Sequence, residues 1–156
     1  MFPESLAILF APLLRTSVLK YSHVSKKGGV TVPTYVRFVE LPALDQRRAI
    51  SFYTEKLGLR VARDQEYREG WNWVLLEIPG AQTKILLTQS SGETRDTPSL
   101  VLTVEDVHAR HRELAAKGVE FTTEPAVAPW NPNEVYAVFR DSEGNLVMLG
   151  SEVDAA

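Results

Sequence analysis

The chain contains no cysteine, which removes disulfides, thiolate zinc sites and a cysteine nucleophile together. A reducing cytoplasm is the expected compartment. A basic excess is also missing. The 17 Lys and Arg are scattered among 20 Asp and Glu, for a formal charge of −3, leaving no footprint for a phosphate backbone and arguing against nucleic acid as a partner. There is no Gly-rich phosphate loop, no nucleophile elbow and no Ser-His-Asp order in a suitable context, and Ser99 has no nameable base. The apolar run SLAILFAPLL, with Glu4 ahead of it and Arg15 behind, is about half as long as the roughly twenty residues a membrane helix needs. It reads as neither a membrane span nor a targeting signal.

What is present is a chain of 156 residues with 44% apolar composition, enough for one domain or for two small halves sharing a core. Residues 1–33 stand apart. Leu6, Leu9, Phe10 and Leu13 recur at helical spacing despite Pro12, and the polar stretch SHVSKKGG follows. This arm is an appendage, a product of start-site choice, or a clasp for a dimer.

From Thr34 the pattern is regular and occurs twice. In the first copy YVRFVEL is strand-like, and Asp45 caps a helix on which Ile50, Tyr53 and Leu57 share a face before Gly58 stops it. LRVARDQEY and GWNWVLLEI then form a hairpin over Glu-Gly, and TKILLTQ follows the Pro-Gly turn. After the linker SSGETRDTP the second copy runs SLVLTV, a helix from Asp106 to Lys117, VEFTTE, VYAVFRD and NLVMLGS. Gly80 and Gly144 answer each other in the last turn of each copy, where a tight reversal needs positive φ. Each copy is a βαβββ unit, spanning 34–90 and 97–152, and one unit alone leaves a sheet face bare. The fold class is α+β, two paired units with a cupped mixed sheet.

The segments ALDQRRAISFYTEKLGL, TVEDVHARHRELAAKGVEF and VFRDSEGNLVML, in that order, resemble the vicinal oxygen chelate superfamily, which includes glyoxalase I, extradiol dioxygenases and bleomycin-resistance proteins. The likeness covers residues 34 to 152 as a single glyoxalase-like domain. It implies a homodimer holding a small molecule in the cup. It also implies a divalent metal held by His, Gln or Glu on the first and fourth strands of each unit. Carried onto this sequence, those positions fall on Phe38, on Ile85 (Lys84 if the register slips by one), on Ser99 and on Met148. None is a normal ligand for such a cation, so neither metal nor cofactor is expected. His23 lies in the arm. His108 and His111, three apart on the second helix, have a spacing that builds ligand pairs, yet His111 shares the stripe of Val107 and Leu114 and is expected beside the core.

If Phe38 faces the cup, strand parity turns Glu40 the same way. Glu40 is then a candidate general base or the partner of a cationic ligand, or else a solvated carboxylate at the strand end. Trp71, Trp73 and Trp130 fall where hairpins and loops border the cup. Trp73 lines the cup or fills core. Trp130, in the proline-rich APWNPNE, is a lid or a cover for the sheet edge. The preferred reading is a metal-free dimer binding an aromatic or apolar small molecule among Phe38, Glu40, Trp73, Ser99, Trp130 and Met148. Two alternatives stand beside it: a superfamily enzyme (lyase, isomerase or dioxygenase) with non-standard ligands or Glu40 as base, and a structural or regulatory dimer with a filled cup.

Overall fold

The computed structural model describes residues 33–93 and 95–151. The amphipathic helix and linker expected before Pro33, and His23 with them, lie outside the described residues. Two four-stranded mixed sheets follow one another along the chain. The first contains β1 (Phe38–Ala43), β2 (Arg60–Arg68), β3 (Trp71–Glu77) and β4 (Lys84–Gln89) in the order β1-β4-β3-β2. The second contains β5 (Leu100–Val104), β6 (Phe121–Ala128), β7 (Asn131–Arg140) and β8 (Leu146–Ser151) in the order β5-β8-β7-β6. In each, the first strand pairs in parallel with the last and the other pairings are antiparallel. This is the βαβββ order read from the sequence.

The helices start where the two aspartates sit. Asp45 accepts the amide hydrogens of Arg47 and Arg48, and Asp106 accepts that of Ala109, satisfying donors that the first helical turn leaves open. α1 (Gln46–Ser51) departs from expectation by widening into a π-helical turn over Phe52–Lys56. Its inward stripe is therefore Ala49, Tyr53 and Leu57, with Ile50 only partly buried. α2 (Val107–Ala116) turns Val107 and Leu114 inward, and Gly118 ends it at φ +78°.

Both helices and one face of each sheet join a single apolar core. Leu41, Val74, Leu76 and Leu87 from the first sheet meet Tyr53 and Leu114 from the helices and Phe139 and Leu149 from the second sheet. Burying each such leucine contributes about 1.5–3 kcal/mol. The other face of each sheet points away from this core.

Two strands run beyond their expected ends. β6 and β7 form a hairpin with Pro129 and Trp130 at its turn, where the prolines had suggested a loop. Pro125 is tolerated because β6 is an edge strand whose register slips between Thr123 and Ala126, so a missing donor there breaks no ladder.

The turn between β7 and β8 ties the halves together. The buried carboxylate of Asp141 accepts four hydrogen bonds, from the Tyr53 hydroxyl (2.7 Å), the amides of Glu143 (2.9 Å) and Asn145 (2.8 Å), and the Asn145 side chain (2.8 Å). Asn145 also donates to the Pro42 carbonyl at 2.8 Å. Glu143, its side chain only 1% exposed, accepts the amides of Leu44 and Asp45, each at 2.8 Å, and pairs with Arg48 at 2.8 Å. Burial pushes the Tyr53 hydroxyl well above the ordinary tyrosine value, helped by the Asp141 charge and by the bond to it. Burial also opposes ionisation of Glu143, but the bonds from Arg48, Asp45, Ser142 and Leu44 outweigh it and leave its carboxyl below the ordinary value of 4.5.

Tyr53→Phe removes one donor and keeps the ring, so urea unfolding should show a loss of about 1 kcal/mol. Asp141→Ala strands several buried donors and should cost about 3 kcal/mol or more. A lowered folded-state pKa means that Glu143 stabilises above its unfolded value and that this contribution vanishes as pH falls through the folded one. Stability measured from pH 6 down to pH 3 (about the carboxylate range) should therefore fall less steeply for Glu143→Gln than for the parent.

Candidate functional site

The outward face of the first sheet follows from its register. Phe38 stands opposite Lys84, which stands opposite Glu77, and Glu40, Leu86, Leu75 and Arg63 form the next row. Residues facing each other across a pleated sheet share one side, so Phe38, Glu40, Lys84, Leu75 and Arg63 point away from the core. Trp73 joins them, half-buried, with its ring edge-on to Phe38 at 5.9 Å and to Tyr67 at 5.7 Å. It is a wall of this face and not a core filler.

Trp73 has a cavity on either side. One, of about 400 Å³, is lined by Tyr35, Arg37, Phe38, Arg63, Leu75 and Lys84 among others. The other, of about 280 Å³, is lined by Glu40, Tyr67, Arg68, Trp71 and Leu86 among others. Lys84 pairs with Glu77 at 3.0 Å. Glu40 lies mid-strand, since β1 continues to Ala43, and it is exposed.

The second sheet's outward face is more apolar. Val101, Met148 and Val138 form one row, and Thr103, Gly150 and Tyr136 the next. Trp130, 57% exposed, packs on Tyr136 at 5.0 Å between ring centres, and its indole N–H donates to Glu134 at 2.7 Å. A Cβ at Gly150 would come within 3.2 Å of the same carboxylate, so glycine there leaves Glu134 room to hold the indole. The Ser99 hydroxyl is enclosed and has no hydrogen-bond partner among the described residues. Phe38, Glu40 and Trp73 thus gather on one face and Met148 and Trp130 on another, and neither cavity beside Trp73 is lined by Met148 or Trp130.

The metal positions need one correction. Ile85 faces the core, and Lys84 is the residue beside Phe38, because the parallel pairing of β1 with β4 sets Phe38 opposite Lys84. The donor set becomes Phe38, Lys84, Ser99 and Met148, and an ammonium beside a phenyl ring suits a divalent cation no better than isoleucine does. His111 packs edge-on against Phe121 at 4.3 Å and lies 3.0 Å from Glu124, while His108 is exposed. Among the described residues no three His, Cys, Asp or Glu side chains converge. Sequence parity on β1 alone did not reveal Arg63, Tyr67, Glu134 or Tyr136, which reach these faces through strands whose pairing carries bulges.

Two βαβββ units whose helix-bearing faces share a core define a known class of fold, and comparison with other proteins identifies it. The profile of the Glyoxalase/Bleomycin resistance protein/Dioxygenase superfamily matches residues 35–149, and the chain belongs to that superfamily. The uncharacterized protein YetH of Bacillus subtilis is 29% identical over 122 residues, covering 76% of this chain and 93% of YetH. A superfamily member from Sphaerobacter thermophilus superposes with a TM-score of 0.68 at 27% identity, covering 77% of this chain and 98% of that one. TnmS3, an antibiotic binding protein from Streptomyces sp. CB03234, superposes with a TM-score of 0.67 at 26% identity, covering 80% of this chain and all of its own. No described helix is long and apolar enough to cross a membrane.

Proposed function

We propose that this chain binds a small, flat organic molecule against the outward sheet faces, without a divalent metal, as a cytoplasmic homodimer. The observation that carries the reading is the half-buried Trp73, braced by Phe38 and Tyr67 between two cavities, on a face where residues other than metal ligands occupy the chelating positions. An aromatic wall with a few placed polar groups suits ligand burial. The likeness to an antibiotic binding protein supports the same reading. Enzymatic chemistry through Glu40 draws no support from its exposed setting.

Association with a second copy is supported by the faces themselves. Tyr67, Val101 and Trp130 are each more than half exposed, and apolar patches of this kind mark contact surfaces. A two-fold axis would set the charged face of one copy's first sheet opposite the apolar face of the other's second, completing a cup from two halves. Static light scattering at micromolar concentration should return twice the chain mass; a monomer mass would remove the dimer.

Burying an aromatic ring against Trp73 and Phe38 removes about 100–200 Å² of apolar surface, about 2.5–5 kcal/mol before association costs. A screen of bicyclic aromatics should therefore quench tryptophan emission at micromolar to millimolar concentration. Trp73→Leu should weaken the hits about tenfold. Chelator-treated protein should bind them equally well, and binding that requires an added metal would overturn the metal-free reading.

A further inference from the structure

We propose that the cavity between Trp73 and the start of β1 selects molecules that carry an acid group on an aromatic or apolar body, with Arg63, Arg37 and Lys84 as the recognising cations. This rests on the small-molecule reading above and adds the ligand's charge to it. The cavity, about 400 Å³, has Phe38, Trp73 and Leu75 as apolar wall and the three cations around them, and no acidic residue lines it. Arg63 faces the cavity because it stands opposite Leu75, on the outward side of the β2–β3 ladder. The acid next to it in sequence, Asp64, stands opposite the buried Val74 on the other side, where it accepts from Asn72 and lies 3.9 Å from Arg47. Lys84 is paired with Glu77 at 3.0 Å, which leaves the two arginines as the unpaired cations of this cavity among the described residues. Among the described residues no carboxylate lies within 4.0 Å of Arg37 or Arg63.

Like charges around a partly closed cavity repel one another, and an anion placed among them relieves that repulsion while forming charge-assisted bonds. The guanidinium fork of Arg63 matches the two oxygens of a carboxylate. A bare inorganic anion would leave the aromatic half of the wall unused. An amine is disfavoured here, because Glu40 opens into the separate depression beyond Trp73, beside Arg68.

The probes are 2-naphthoate and 2-naphthamide, alike in shape and different in charge, titrated calorimetrically at low salt. The acid should bind at least about tenfold more tightly than the amide, and the gap should shrink at about 0.5 M salt. Arg63 is exposed on an edge strand, so Arg63→Gln should fold normally, lose the preference and keep its amide affinity; Arg37→Gln should lose part of it. If acid and amide bind the parent alike, the charge assignment is wrong and the small-molecule reading stands. If the preference survives both variants, these arginines are not its source. If neither probe binds, both readings fall.

Discussion

The carboxylate of Asp141 and the tyrosine hydroxyl it receives hold the two halves in one arrangement. A buried carboxylate is costly unless its oxygens are satisfied. Here the donors come from both units: Tyr53 from the first helix, and the amides and amide side chain of the β7–β8 turn itself. The same turn sends Glu143 to the start of α1, where it accepts two amides about a hundred residues away in sequence. The start of the first helix is therefore capped by its own Asp45 and braced by the last hairpin. Neither unit has a complete polar inventory without the other, and contacts of such long sequence separation tie folding of the first unit to arrival of the last strands.

This closure consumes the helix-bearing face of each sheet and leaves the opposite faces outside the core. They have diverged although the units repeat. The first carries Lys84, Glu77, Arg63 and Glu40 around an aromatic wall, while the second carries Val101, Met148, Val138 and Tyr136 with one carboxylate engaged by Trp130.

Much of the fold was legible because it rests on local chemistry. Asp45 and Asp106 announce helix starts, Gly58 and Gly118 their ends, and Gly80 and Gly144 the reversals before the last strand of each unit. The π-helical turn after Ser51 has no such signature, because the apolar spacing of Tyr53 and Leu57 fits an α-helix equally well. The Trp130 hairpin was hidden by Pro129 and Pro132, but the first sits in the two-residue turn and the second in the stretch of β7 between its paired residues Asn131 and Val135, where no ladder bond is lost. The face itself was read from one strand only. Phe38 and Glu40 are placed together by parity, but the pairing of Phe38 with Lys84 and of Leu75 with Arg63 depends on register across strands distant in sequence, and β2 shifts register between Val61 and Arg63. A one-residue slip exchanges the two sides of a strand, which is how Ile85 came to stand in for Lys84.

The irregular registers of β2 and β6 have a further consequence. Both are edge strands, and a long regular edge is an open template on which further chains can add without limit. β2 breaks step twice and β6 three times, with Pro125 inside one of the breaks. Their backbone groups cannot line up with a straight incoming strand. Growth along the sheets is discouraged at these two edges.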